Sequence, residues 1–386
     1  MPLLDAGWLE DGLACDAGSV CSQGECVVFS PAPHDALPQF TNGGGGLLTS
    51  FRLVTVTWSG YPYRPQVEAL GDWIVTSPWL SAFAPAYGPL SATNQNVELA
   101  NAAPAGTLAT SDLEALLAAG IDAGTLPGDL TAAGVNNHLY LFFTPAATTV
   151  SFLGNLTCQG NLGFHFTNRP GSPFGPGSIA YAVIPDCDGG LPAIERTASH
   201  ELIEAVTDPG ISSFQINQGP WSEAGAQIEI GDTCEDAMVS IGGHTLSTAW
   251  SNAAASAGLD PCIPWSQAQG AYRNVSAQPP SQTVAAGQPA TFVLTGWSNA
   301  PAADWPLTFH RDLAVFDFTP AISGGGAATI NNGQTLTVQL TPPTGTPSGA
   351  RAIVWVQSGT PPAVGGLAPP PTPFQSDEWP LTVQVQ

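Results

Sequence analysis

Ala198-Ser-His-Glu-Leu-Ile-Glu-Ala-Val-Thr-Asp-Pro209 is the most informative stretch of this 386-residue chain. His200, Glu204 and Asp208 are four residues apart, so on a helix they stack along one face, which Glu201 borders. Like charges at this spacing repel each other, and a bound cation would remove the repulsion. We therefore predict a helix over 191–207, ended by Pro209, that carries a metal site. The alternative is a buried histidine hydrogen-bonded to a helical glutamate.

The string HELIEAVTD resembles the active-site helix of thermolysin-like metallopeptidases, in which HEL-x-H-A-V-T-D is typical. This resemblance implies that His200 and Glu204 bind the metal and that Glu201 is the general base for a metal-activated water. The family's third ligand is a glutamate about 20 residues after the second ligand. Glu223 and Glu229 follow Glu204 by 19 and 25 residues.

A second resemblance covers residues 50–265, which are similar to the exordium / phosphate-induced proteins and their bacterial relatives. The matching motifs occur in the same order, and they are SPWLSAF, YLFFT, Cys158 before Gly163-Phe-His165, AYAVI before Cys187, SHELIEAVTDP, EIGDTCE and Trp250-Ser-Asn252 before Cys262.

The exordium resemblance favours Glu229 over Glu223 as the third ligand. It implies that Asp232 orients His200 and that Asp208, often Asn in plant members, supports the site without being an essential ligand. His165 is a candidate catalytic residue that would face the substrate or add a ligand. Its alternative is a histidine of the core beside a disulfide.

Zinc is the first choice of metal, by resemblance. One histidine with two carboxylates is a harder ligand set than two histidines with one carboxylate, so calcium or manganese is the alternative.

The chain divides into four regions. Residues 1–30 form a Cys-rich stub, residues 31–46 a Pro/Gly linker, residues 47–270 the HExxE domain, and residues 271–386 a region of Val/Thr-rich segments between Gly, Pro and Asn turns. We predict an α+β metallohydrolase-like domain followed by an all-β immunoglobulin-like sandwich. Strand 178–184 is predicted as the edge strand that holds an extended substrate.

Seven cysteines predict disulfides and hence a secreted or cell-surface protein. We expect Cys158–Cys187 and Cys234–Cys262 bridges, whereas Cys15, Cys21 and Cys26 form a small knot with one thiol left over. The first residues lack the features of a signal peptide, so we interpret the sequence as a mature or truncated form. The sequence contains no run of 18 apolar residues, so we predict no membrane span.

The formal charge of −23, with seven arginines and no lysine, excludes a basic surface for nucleic acid. The leading function is a secreted metal-dependent hydrolase, a zinc endopeptidase acting on an extracellular polypeptide or a cell-wall substrate. The alternatives are a glycan-active or cell-wall-binding protein with a structural metal, and a surface module without catalysis. The sequence predicts no oligomeric state.

Overall fold

The structure is a computed structural model. It describes residues 14–16, 19–22, 25–128, 137–159, 162–168, 178–210, 212–216, 221, 228–235, 237–265, 270–311, 320–322, 328–359 and 376–386. All structural statements below concern these ranges.

Three strands form an N-terminal antiparallel sheet, namely β1 (Ala14–Asp16), β2 (Ser19–Ser22) and β3 (Glu25–Val28). This sheet coincides with the Cys-rich stub, and Cys21 lies opposite Cys26 in its register. Cys26 is disulfide-bonded. The side chains of Cys15 and Cys21 lie outside the described residues.

The next region mixes strands and helices. Its strands are β4 (Phe40–Asn42), β5 (Ser50–Trp58), β6 (Ser91–Leu99), β7 (Gly106–Ala109), β8 (His138–Thr144), β9 (Thr148–Phe152), β10 (Asn155–Leu156), β11 (Phe164–Thr167), β12 (Ala180–Pro185), β13 (Phe214–Ile216), β14 (Met238–Ile241), β15 (His244–Ser247), β16 (Ala249–Trp250) and β17 (Cys262–Ile263). Its helices are α1 (Arg64–Ile74), α2 (Pro78–Ser81), α3 (Ala84–Tyr87), α4 (Thr110–Asp122), α5 (Gly190–Thr207) and α6 (Asn252–Ser256).

A five-stranded mixed sheet is the centre of this region, with the order β11-β12-β8-β5-β6. Every neighbouring pair is parallel except β11 and β12, which are antiparallel. The inner strands are buried along most of their length, as expected for parallel strands covered on both faces.

Successive residues of the inner strands face opposite layers of helix. Leu53 and Leu141 pack in the core shared with α1 and α5, whereas Val54 and Phe142 pack with α4. Helix α5 therefore lies on one face of the sheet, directly after β12 in the chain.

The predicted edge strand is not at the edge, because β12 lies between β11 and β8. Strand β11 forms the edge on this side of the sheet, and in the described sheet β12 is its one neighbour. The apolar sequence of β12 does not reveal that β11, the short strand before it in the chain, pairs along its outer side.

The C-terminal region is a two-sheet β sandwich. Its strands are β18 (Arg273–Gln278), β19 (Ser281–Val284), β20 (Ala290–Ser298), β21 (Trp305–Arg311), β22 (Pro320–Ile322), β23 (Thr329–Ile330), β24 (Thr335–Leu340), β25 (Arg351–Ser358) and β26 (Glu378–Val385). One sheet has the order β18-β20-β24-β22, and the other has the order β19-β26-β25-β21-β23. The prediction of a β-rich sandwich is confirmed.

Residues 31–46, predicted as a linker, are packed against both the region of mixed strands and helices and the C-terminal sandwich. On the sandwich side, His34 stacks on Trp297 with ring centroids 3.6 Å apart. On the other side, β4 pairs with β13, and the side chain of Asn252 exchanges two hydrogen bonds with the backbone of Phe40. The segment connects the two regions through specific contacts.

The disulfides Cys158–Cys187 and Cys234–Cys262 are both formed, which confirms the predicted pairing. Within the described ranges, no helix combines the length and apolarity that a membrane crossing requires.

Truncating a core leucine tests the placement of the central sheet. Leu53 is fully buried on β5, so Leu53→Ala should lower the free energy of unfolding by about 2–5 kcal/mol. Leu153 is 78% exposed, so the matched Leu153→Ala variant should stay within about 0.5 kcal/mol of wild type. Urea unfolding followed by circular dichroism measures both. Equal midpoints for the two variants would contradict this placement of β5.

Candidate metal centre

Helix α5 brings three of the predicted site residues together. Glu201 and Glu204 are buried, at 5% and 3% exposure, and the side chain of His200 is 14% exposed. The Nε2 atom of His200 lies 3.2 Å from Oε1 of Glu204, one helical turn away. The spacing read from the sequence thus places these residues on one face, as predicted.

Edge strand β11 adds a second histidine. His165, opposite Ala182 in the register, is 4% exposed. Its Nδ1 atom lies 3.4 Å from Oε2 of Glu201 and 3.5 Å from Oε2 of Glu204. The ring of His165 is thus both buried and in contact with two glutamates of α5.

A turn after residue 228 supplies two more carboxylates. Oδ1 of Asp232 lies 3.7 Å from Nε2 of His200, and the backbone N–H of Asp232 donates to Oε1 of Glu204 at 3.2 Å. Glu229 instead contacts His165, whose Nε2 is 3.2 Å from its Oε1. The Cys234–Cys262 disulfide anchors this turn to β17.

The two carboxylates of this turn lie beside different histidines. Asp232, expected to orient His200, lies beside His200 and Glu204, whereas Glu229, expected to be the third ligand, lies beside His165. Only two residues, Ile230 and Gly231, lie between Glu229 and Asp232, and the sequence does not reveal which carboxylate faces which histidine. The competing candidate Glu223 lies outside the described residues.

Asp208 supports the cluster from the end of α5. Its Oδ1 accepts hydrogen bonds from the backbone N–H groups of Ser212 and Ser213, at 2.6 and 2.8 Å. Its backbone carbonyl accepts a hydrogen bond from Nε2 of His165 at 3.1 Å. Burial raises the pKa of the Asp208 carboxyl. These contacts link the end of α5 to His165 and to the residues that follow the helix.

The spacing of the donor atoms in the cluster suits a metal ion. Charge-assisted hydrogen bonds between imidazolium and carboxylate are about 2.7–2.9 Å long. The ring nitrogens here lie 3.2–3.7 Å from the carboxylate oxygens. Two ligand atoms of a tetrahedral zinc ion, each about 2.1 Å from the metal, are about 3.4 Å apart.

The cluster also has an excess of negative charge. Glu201, Glu204, Glu229 and Asp232 are four carboxylates, so two negative charges are unbalanced even when both imidazoles are protonated. Burying unbalanced charge is costly, and either protons or cations must reduce the cost.

The pKa values of these groups reflect this crowding. Burial by itself lowers the pKa of His165, but the charge of Glu229 and the hydrogen bonds of three glutamates raise it well above 6.5. The pKa of His200 is raised in the same way, mainly by the charge of Glu204. Burial raises the pKa of Glu229 to about 8 and also raises that of Glu201. Burial opposes ionisation of Glu204, but the charge of His200 lowers its pKa to about 2.

Two glycines leave the space that the cluster occupies. A Cβ atom on Gly231 would lie 2.6 Å from Oε1 of Glu204 and 2.9 Å from Cε1 of His200. A Cβ atom on Gly163 would lie 2.9 Å from Oε1 of Glu201. Gly231 has ordinary helical dihedral angles, so the constraint there is close approach and not backbone conformation.

Solvent reaches the cluster from the side of Asp232. The Asp232 side chain is 28% exposed and that of His200 is 14% exposed, whereas Glu201, Glu204 and His165 are buried. A small molecule entering the site would therefore meet Asp232 and His200 first.

Comparison with known proteins gives little similarity. No protein-family model matches the chain, and no curated protein matches it. Domains 4 and 5 of the S-layer protein SbsC have a TM-score of 0.21 at 17% identity, over 30% of this chain and 53% of that chain. WR4, a C. elegans MSP family member, has a TM-score of 0.18 at 13% identity, over 29% of this chain and 97% of that chain. The chain spans about half of the S-layer fragment that it matches. The resemblances to exordium proteins and to thermolysin-like peptidases stay predictions from their motifs.

Adding one methyl group tests the close approach at Gly231. Gly231→Ala should destabilise the protein by about 1–3 kcal/mol, because the new Cβ forces Glu204 and His200 apart. Gly345→Ala is the matched control, since its Cβ meets nothing within 4 Å, and it should be close to neutral. Thermal unfolding measures both variants. Equal melting temperatures for Gly231→Ala and wild type would show that Gly231 does not contact Glu204 and His200 as described.

Proposed function

We propose that the chain is a secreted metal-dependent hydrolase, with zinc as the first choice of metal and an extended polypeptide as the substrate. The observation that carries the proposal is the convergence of two imidazoles and four carboxylates at donor spacings of 3.2–3.7 Å in a largely buried site. In this proposal the α/β region is the metallohydrolase-like domain, and the sandwich is an immunoglobulin-like accessory domain.

Nε2 of His200, Oε1 of Glu204 and Oδ1 of Asp232 would hold the catalytic cation. These three atoms lie within 4.8 Å of one another, and they belong to the more accessible side of the cluster. A divalent cation at this position supplies polarisation of a carbonyl and a lowered pKa of water. One imidazole with two carboxylates also suits manganese or calcium, so elemental analysis decides the metal.

Glu201 is the proposed general base. It follows His200 directly in α5, and its carboxylate is held at its Oε2 atom by Nδ1 of His165. A carboxylate whose pKa is raised by burial accepts a proton more readily near neutral pH than an exposed glutamate does. His165 positions this carboxylate and donates its other N–H to the carbonyl of Asp208.

Edge strand β11 supports a polypeptide substrate. It carries His165 and pairs with β12 on one side, so an extended chain could add to its other side with main-chain hydrogen bonds. Such pairing would place the substrate backbone beside the cluster. The two disulfides support a secreted or cell-surface location.

Metal content is the first test. Elemental analysis of purified wild type should find at least one zinc per chain. His200→Ala should lose one metal equivalent, and Glu204→Ala should lose tight binding altogether, because Glu204 contacts both histidines. His244→Ala is the control, since His244 pairs with Glu195 outside the cluster. Absence of transition metal after reconstitution would reduce the cluster to buried His–Glu pairs and favour a glycan-binding function.

Removing the base tests the reaction. Glu201→Gln keeps the size of the side chain but cannot accept the proton, so turnover of a peptide-library substrate should fall by at least 100-fold. Metal bound by His200 and Glu204 should be retained. Full activity of this variant on a substrate that wild type cleaves would exclude Glu201 as the base, and activity that survives EDTA would exclude metal-dependent hydrolysis.

A further inference from the structure

We infer that the cluster holds two divalent cations, with a second position formed by Nδ1 of His165, Oε2 of Glu201 and Oε2 of Glu204. This inference rests on the proposed function for the first cation, which His200, Glu204 and Asp232 bind. Glu204 would belong to both positions and bridge the two ions.

The proton arrangement on His165 prepares its other nitrogen for a cation. Nε2 of His165 lies 3.1 Å from the carbonyl oxygen of Asp208, which can only accept a hydrogen bond. Nε2 therefore carries a proton, which leaves Nδ1, beside Glu201 and Glu204, as the ring nitrogen that a cation could bind. Metal-binding histidines are commonly oriented by such a hydrogen bond from the second nitrogen to a backbone carbonyl.

The three atoms of the second position have the spacing of metal ligands. Nδ1 of His165 is 3.4 Å from Glu201 and 3.5 Å from Glu204, and all three ligand atoms lie within 4.8 Å of one another. The residues that supply them are at most 5% exposed. Oε1 of Glu229, a buried atom, lies 3.2 Å from the far nitrogen of the same ring.

The two oxygens of Glu204 serve different donor sets. Oε1 lies 3.2 Å from Nε2 of His200, and Oε2 lies 3.5 Å from Nδ1 of His165. A carboxylate shared in this way matches the two-metal sites of hydrolases, whose ions are about 3.5–4 Å apart.

The charges of the cluster favour two cations over one. With all four carboxylates ionised, one divalent cation with neutral imidazoles leaves two negative charges in a largely buried site. Two divalent cations balance the four carboxylates completely. The chain has no lysine and only seven arginines to provide this compensation by other means.

Occupancy of the second position would change the role of Glu201. A carboxylate that binds a cation through one oxygen is a weaker base than a free carboxylate. The second cation would therefore weaken the proposed base, so metal concentration would regulate the hydrolase that the first cation supports.

Metal stoichiometry of the full chain tests the inference. Metal-depleted protein is titrated with Mn²⁺ by calorimetry, and the loaded protein is examined by electron paramagnetic resonance. Wild type should bind two equivalents and give the spectrum of two exchange-coupled ions. His165→Gln and His200→Gln should each bind one equivalent and give an uncoupled spectrum, whereas the control His244→Gln should bind two.

The outcomes separate this inference from the proposed function. One equivalent in wild type, lost in His200→Gln and kept in His165→Gln, would overturn the second position and leave the first intact. Two equivalents kept in His165→Gln would also overturn it. No binding by wild type of either Mn²⁺ or Zn²⁺ would remove both proposals. If circular dichroism shows that His165→Gln is unfolded, Glu201→Gln replaces it, with the same expected loss of one equivalent.

Discussion

The carboxylate of Glu204 is the charge on which this site depends. It is buried, it has an imidazole on each side, and the backbone N–H of Asp232 donates to it. Three further carboxylates surround the same two histidines, so the site has more negative charge than its own imidazoles can balance. The elements around it hold this charge in place, because a disulfide fixes the turn and two glycines admit the close approach.

Three separate parts of the chain supply the residues of the cluster. Helix α5 supplies His200, Glu201 and Glu204 because it packs against the central sheet, with its apolar side buried beside β12. Strand β11 contributes His165 because its antiparallel pairing with β12 fixes the register. The turn before β14 contributes Glu229 and Asp232 because the disulfide ties it to β17. The site residues thus come from a helix, a paired strand and a disulfide-linked turn, and such elements favour defined distances between side chains.

Local features of this structure could be predicted from the sequence, and long-range pairings could not. The period of α5, the proline that ends it and the β sandwich all follow from local pattern or composition. Strand β12 was assigned to the sheet edge because its apolar run does not reveal that β11 pairs beside it. Likewise, Glu229 and Asp232 share one short turn, and the histidine that each one meets depends on how that turn packs against α5. All six members of the cluster were identified in the sequence, whereas their grouping required the fold.

The contacts of residues 31–46 affect how this chain can be divided. A composition rich in proline and glycine suggests a place to cut, yet β4 completes a sheet with β13, a few residues after the end of α5. The same segment reaches the sandwich through His34 and through Asn332, whose side chain bonds to the backbone of Ser30 and Ala32. A fragment that begins at residue 47 would lack the partner strand of β13. We therefore expect the unit that folds on its own to be larger than the domain that composition outlines, because it includes residues 31–46.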